Sequence, residues 1–281
     1  ARKRLSGGRA TRPRARSRRE APAGRAHQSR VKVASMDVVL LTLVASATAL
    51  ATGLGAVPVF FMGARAEVLR PILLGTAIGA MTVASIVGLL RPALQEGSAA
   101  EVTVGFAAGV LLLLAAGALL RNRDVHVGKL HGSSVRLSVL VFGVLLVHSL
   151  PEGLAIGTAY ASDRAGLSLF VILAIALQNI PEGTSVAIPM AAAGFGRASQ
   201  FWAAVLTSAP QPVGAVAAFL VVEHVTGLLP ASFAFAAGAM LALVALELVP
   251  EAFGRRNIAR ASAGTLAGAG AMLALAVAVG V

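Results

Sequence analysis

Two short stretches of this sequence share one pattern of groups able to hold a cation. Residues 148–153 read HSLPEG and residues 178–183 read QNIPEG, so a polar donor, a proline, a glutamate and a glycine recur at an offset of 30 residues. In each copy the donor precedes the glutamate by four, pairing His148 with Glu152 and Gln178 with Glu182. Positions i and i+4 share one helix face, so each pair points at a common centre. Imidazole, carboxamide and carboxylate suit Zn(II), and less selectively Fe(II), Mn(II), Co(II) or Cd(II). Calcium fits less well, because it takes oxygen ligands. The chain has no cysteine, which removes thiolate sites, disulfides and thiol redox chemistry.

The elements that must position these groups are membrane spans. The chain has 281 residues, 57% of them hydrophobic and 13% charged, with a mean hydropathy of +0.82; soluble domains are about 25% charged. Apolar runs occur at about 36–62, 70–90, 102–121, 137–161, 167–192, 200–222, 231–252 and 261–281. Each approximates the roughly 20 residues needed to cross a bilayer core. The expected fold is therefore an all-α integral membrane protein of eight spans, with no soluble domain. Pro151 and Pro181 lie inside the fourth and fifth spans and release the carbonyls of Val147 and Leu177, kinking those helices. Bare backbone at membrane depth is tolerated only where protein or a wet cavity covers it, so both motifs should face the bundle interior. Gly153 and Gly183 let a neighbouring helix come near. Two facing glutamates repel unless a cation lies between them or one is protonated. The alternative is purely structural, with neutral carboxyls and a satisfied core histidine bonding helices together. An intramembrane metal-dependent hydrolase is a further alternative, but no HExxH occurs and neither motif glutamate is left over as a base.

Charge is unevenly placed. The formal net charge is +12, yet twelve of the 24 Lys and Arg residues lie before Ser35. This basic tail, residues 1–35, has too few apolar residues for a core and reads as disordered. Met36 stands just before the first apolar run and reads as the natural start, leaving 36–281 as the folded part. The basic excess therefore does not signal a nucleic-acid partner; the partners expected are the bilayer and a divalent ion, with a homodimer as a further expectation. An even span count puts both termini on one side. Ten Lys and Arg residues lie in loops on the face opposite the termini, against Arg91 and Arg164 on the terminal face. By the positive-inside rule both termini are then outside the cytoplasm of a multi-pass protein of the plasma (inner) membrane. His126 and His131 fall in the longest polar loop, where they could hand metal onward or simply be solvated. No Walker motif appears, which argues against direct use of ATP.

The two PEG motifs, in the fourth and fifth of eight spans, resemble those of the ZIP (Zrt/Irt-like) metal transporters, most closely the bacterial GufA-like branch. The likeness extends to the stretch from about Ala51 to Leu94 and to LELVPE at 246–251. It implies an eight-helix bundle arranged 3+2+3, with inverted pseudo-symmetry between the first and last three spans. GAM recurs at 79–81 and 238–240, a faint echo of such symmetry. The resemblance implies a primary metal position formed by Met81, His148, Gln178 and Glu182. It implies an adjacent position formed by Ser149, Glu152, Asn179, Glu182 and Gln211. Ser149 and Gln211 depart from the family pattern, removing an amide and a carboxylate, so the second position should bind metal weakly. Glu247, inside the seventh span, is a candidate for the ion path. The implied activity is transport of divalent metal, zinc first, into the cytoplasm by alternating access, with no prosthetic group and no enzymatic step.

Overall fold

The computed structural model describes residues 23–121, 148–254 and 257–281, with the side chains of 23–36 left aside. The chain divides into two compact units, Ala1–Asp37 and Val38–Val281, and the second holds every contact discussed below. The described elements are helical throughout, with no strand among the described residues.

Among the described residues, six helical runs are long and apolar enough to cross a membrane: Asp37–Met62, Arg65–Glu96, Ala165–Ala192, Arg197–His224, Leu229–Ala252 and Ile258–Val279. They make this a multi-pass membrane protein. Two of the eight expected spans have a different status. The third falls on α5, Ala99–Arg121, whose apolar stretch Ala99–Ala115 is shorter than the other six. The fourth is described only from residue 148, as helix α6 over 148–161. His126 and His131 lie outside the described residues.

Numbered by their place in the expected eight, several spans are built from more than one helical segment, and proline marks the joints. The first is α1, Ala23–Leu54, followed after Gly55 by α2, Val57–Met62, with Pro58 in its first turn. The second is α3, Arg70–Val83, a π segment at Ala84–Leu90 and α4, Arg91–Glu96, with Pro92 in its first turn. The fifth is the single helix α7, Ala165–Ala192, which continues through Pro181 and Pro189. The sixth breaks at Ser208 and Ala209 between α8, Arg197–Thr207, and α9, Pro210–His224. The seventh repeats the design of the second: α10, Leu229–Leu243, a π segment at Val244–Leu248 and α11, Val249–Ala252, again with proline in the first turn of the last piece. The eighth is α12, Ile258–Val279. A proline has no N–H to give the preceding turn, so it fits where the hydrogen-bond register shifts.

Small residues decide which helices touch. Lipid is as apolar as leucine, so helices in a bilayer associate through van der Waals contact and polar bonds, which close approach strengthens. A Cβ at Gly75 or Gly79 of α3 would overlap the Ala261 or Thr265 carbonyl of α12, and one at Gly264 or Gly268 would overlap Ile72 or Thr76 in return. Gly109 of α5 and Gly238 of α10 seal a second pair in the same manner, against Phe235 and Phe106. Two further seams bring the motif helices in: Gly183 of α7 lies on the Thr52 carbonyl of α1, and Gly153 of α6 on the Gln211 carbonyl of α9.

At the start of α5, Ser98 and Glu101 form a capping box. The Ser98 N–H and hydroxyl donate to Glu101 Oε2 at 2.7 and 2.8 Å, while the Glu101 N–H donates to Ser98 Oγ at 3.2 Å. Ser98→Ala keeps the backbone bond to Glu101 Oε2 but removes both bonds of the hydroxyl, and should cost about 1 kcal/mol, read as a small fall in the unfolding temperature of the solubilised protein.

Candidate metal site

The motif residues are brought together by the two glycine seams. Because Gly153 has no side chain, α9 lies directly on α6, and the neighbouring Glu152 meets Gln211. Because Gly183 has none, the Thr52 turn of α1 lies on α7, and Asn179 one turn earlier reaches the Thr48 carbonyl at 2.8 Å. The Thr184 hydroxyl ties the same seam by donating to the Gly55 carbonyl at 2.7 Å.

Glu152, Gln178, Asn179 and Gln211 have no exposed surface, and Glu182 is only 4% exposed. Glu152 accepts from Gln178 Nε2 through Oε1 at 3.0 Å and from Gln211 Nε2 through Oε2 at 2.6 Å. Gln211 also receives the Thr48 hydroxyl on Oε1 at 2.9 Å. The Glu152 and Glu182 carboxyls interact directly, and His148 lies near enough to act on Glu152 electrostatically. Four helices, α1, α6, α7 and α9, thus contribute to one buried polar centre.

His148 is buried at 3% exposure, and its Nε2 lies 2.9 Å from Glu247 Oε2 on the π segment of the seventh span. Glu247 is about one-third exposed at 32%, so it meets the histidine without being enclosed as the histidine is. Two buried polar atoms at this centre have no hydrogen-bond partner among the described residues: His148 Nδ1 and Gln178 Oε1. Both are acceptors when Nε2 of the imidazole carries the proton, and a metal-ligating histidine ordinarily donates its other N–H to such a carboxylate.

The remaining sequence candidates divide. Ser149 is buried and bonded within the fold. Met81 is fully buried in the apolar cluster that includes Leu41 and Ala45. Glu251, which is not among those candidates, is tied to Arg70, which also bonds Glu67 at 3.2 Å, so it serves an ion pair rather than the buried centre. Among the described residues no three His, Asp or Glu side chains converge on one point; the charged ligands come as two pairs, Glu152 with Glu182 and His148 with Glu247. Carboxamides complete the polar centre.

Sequence reasoning missed Thr48, Thr52 and Ser208. Thr48 bonds Gln211, and the Thr52 and Ser208 hydroxyls meet at 2.6 Å where the first and sixth spans cross. A signal was present, since Thr48 and Thr52 are polar residues one turn apart on one face of an apolar run.

The family model described as ZIP Zinc transporter matches residues 120–276. This chain belongs to the ZIP zinc transporter family. Zinc transporter GufA of Myxococcus xanthus is 32% identical over 72% of this chain and 84% of its own length. Zinc transporter ZIPB of Bordetella bronchiseptica is 30% identical over 82% of this chain and 78% of its own. A relative in Arabidopsis thaliana, also named for zinc transport, is 37% identical over 79% of this chain, which spans only 35% of that longer protein. The family match covers both PEG motifs, the sixth and seventh spans and most of the eighth, so the buried centre lies largely within it.

Proposed function

We propose that this protein carries divalent metal ions, zinc first, across a membrane through the centre formed by α6 and α7. The observation that carries the reading is the pair of partnerless buried acceptors, His148 Nδ1 and Gln178 Oε1, beside the touching carboxyls of Glu152 and Glu182. Buried acceptors without donors are rare. Two carboxyls in contact ask for a proton or a cation, and a divalent ion among these four groups satisfies all of them at once. The zinc-transporter names of the relatives select the metal, and the family disfavours the intramembrane hydrolase.

In this reading His148, Gln178 and Glu182 strip the hydration shell of the incoming ion, with the Met81 sulfur as a softer contributor. Glu247 orients His148 through Nε2 and, being partly exposed, offers the ion its next carboxylate on leaving. The excess of basic loop residues on one face supports placing that face in the cytoplasm, with the termini outside and uptake inward through the plasma membrane.

The eight-span, 3+2+3 arrangement is part of the same proposal, and paired contacts support it. If spans one to three map onto six to eight and span four onto five, the seam of α3 on α12 maps onto that of α10 on α5. Likewise the seam of α1 on α7 maps onto that of α9 on α6. The two GAM triplets each precede a π segment and a proline-started turn, Pro92 in one and Pro250 in the other.

The test is uptake into liposomes. Vesicles carrying the protein and an internal zinc-sensitive dye should show saturable Zn(II) entry above protein-free vesicles; entry indistinguishable from theirs, with the protein folded and inserted, would end the proposal.

A further inference from the structure

The polar centre is saturated on one side of Glu152 and open on the other. The Gln211 amide nitrogen has two hydrogens, and both are used, on Glu152 Oε2 at 2.6 Å and on Asn179 Oδ1 at 3.3 Å. Its oxygen accepts from Asn179 Nδ2 at 3.2 Å and lies 2.9 Å from the Thr48 hydroxyl, whose single proton it shares with the Ala45 carbonyl at 2.8 Å. The orientation is fixed by chemistry, because an ionised carboxylate only accepts and must be met by the amide nitrogen. Asn179 is fastened in turn by donating to the Thr48 carbonyl. On the opposite side, Gln178 gives Nε2 to Glu152 Oε1 but leaves Oε1 bare, and His148 leaves Nδ1 bare.

We infer that the Gln211 amide takes the place of a second cation, so that this site holds a single divalent ion on the Gln178 side of Glu152. The inference rests on the metal reading proposed above. An N–H group carrying partial positive charge caps Glu152 Oε2 with the short contact that a charge-assisted bond gives. An ion entering beside Gln211 would break that bond and leave a fully buried amide N–H without its acceptor. An ion on the other side meets two bare acceptors and displaces no comparable bond. Gln211 is therefore a residue that sets the number of ions bound, and with it the charge moved through the centre in each cycle.

The measurement is zinc stoichiometry on the full chain in detergent, by elemental analysis after equilibrium dialysis against Zn(II) alone. Wild type should bind one zinc per chain, and Gln211→Glu, which exchanges the capping donor for a carboxylate, should bind two. Two zinc ions per wild-type chain would overturn the inference, and this count needs no variant to fold. A Gln211→Glu protein with native helicity and elution volume that still binds one would also overturn it. A folded wild type that binds none would remove the metal reading itself, a failure distinct from the other two.

Discussion

Replacing Glu182 by Gln, or His148 by Ala, is expected to reduce zinc flux into proteoliposomes by about a hundredfold or more, since even partners behind a ligand cost about 10–100-fold when removed. Both residues are buried, and in the proposed reading they act on the ion rather than on the fold. Glu182→Gln keeps the shape and one acceptor oxygen while removing the acidic group beside Glu152. The unfolding temperature should therefore hold or rise. His148→Ala removes the bare Nδ1 and releases Glu247, which at 32% exposure can be solvated in its place. A purely structural role for the PEG motifs predicts the opposite pairing: unchanged flux for Glu182→Gln, and any loss accompanied by unfolding. Measuring flux and thermal stability on the same preparations separates the two, and full flux with Glu182→Gln would remove the metal role assigned to that carboxylate.

The motifs were legible in the sequence because their spacing is local. Four residues set the face shared by His148 and Glu152, and an identical spacing in the next span set that of Gln178 and Glu182, so periodicity alone could bring ligands together. The partners of those ligands were not legible. Thr48 reaches Gln211 across 163 positions and Gln211 reaches Glu152 across 59, and such contacts depend on how deep one helix sits against another. Helix depth is set by glycines such as Gly153, which in the sequence look like any other small residue of an alanine-rich span. Gln211 shows the consequence. Read by residue type it is a lost carboxylate; seen in place, it is the most fully bonded side chain of the centre. The GAM echo was faint for a related reason, because the features it accompanies are π segments, which shift hydrogen-bond register without a strong composition of their own.

Gly183→Ala should be the most damaging single methyl added to the fold, costing about 3 kcal/mol, at the upper end of what overpacking usually costs. The new Cβ would overlap the Thr52 carbonyl oxygen, and a backbone oxygen inside a helix cannot turn aside as a side chain can. α1 must then move off α7, which also loosens the bond from Thr184 to the Gly55 carbonyl and the bond from Asn179 to the Thr48 carbonyl. Gly117→Ala is the matched control: it lies within α5 with nothing within 4 Å of its missing Cβ among the described residues, and alanine is the better helix former by about 1 kcal/mol. Thermal unfolding in detergent should thus show a clear drop for Gly183→Ala and none for Gly117→Ala. Equal melting of the two variants would mean that the seam is not as tight as drawn. Flux should fall with stability in Gly183→Ala, in contrast to Glu182→Gln one position away, where flux falls alone. That contrast separates the two proposed roles: Glu182 would act on the ion, whereas Gly183 sets the distance at which two helices hold their polar groups.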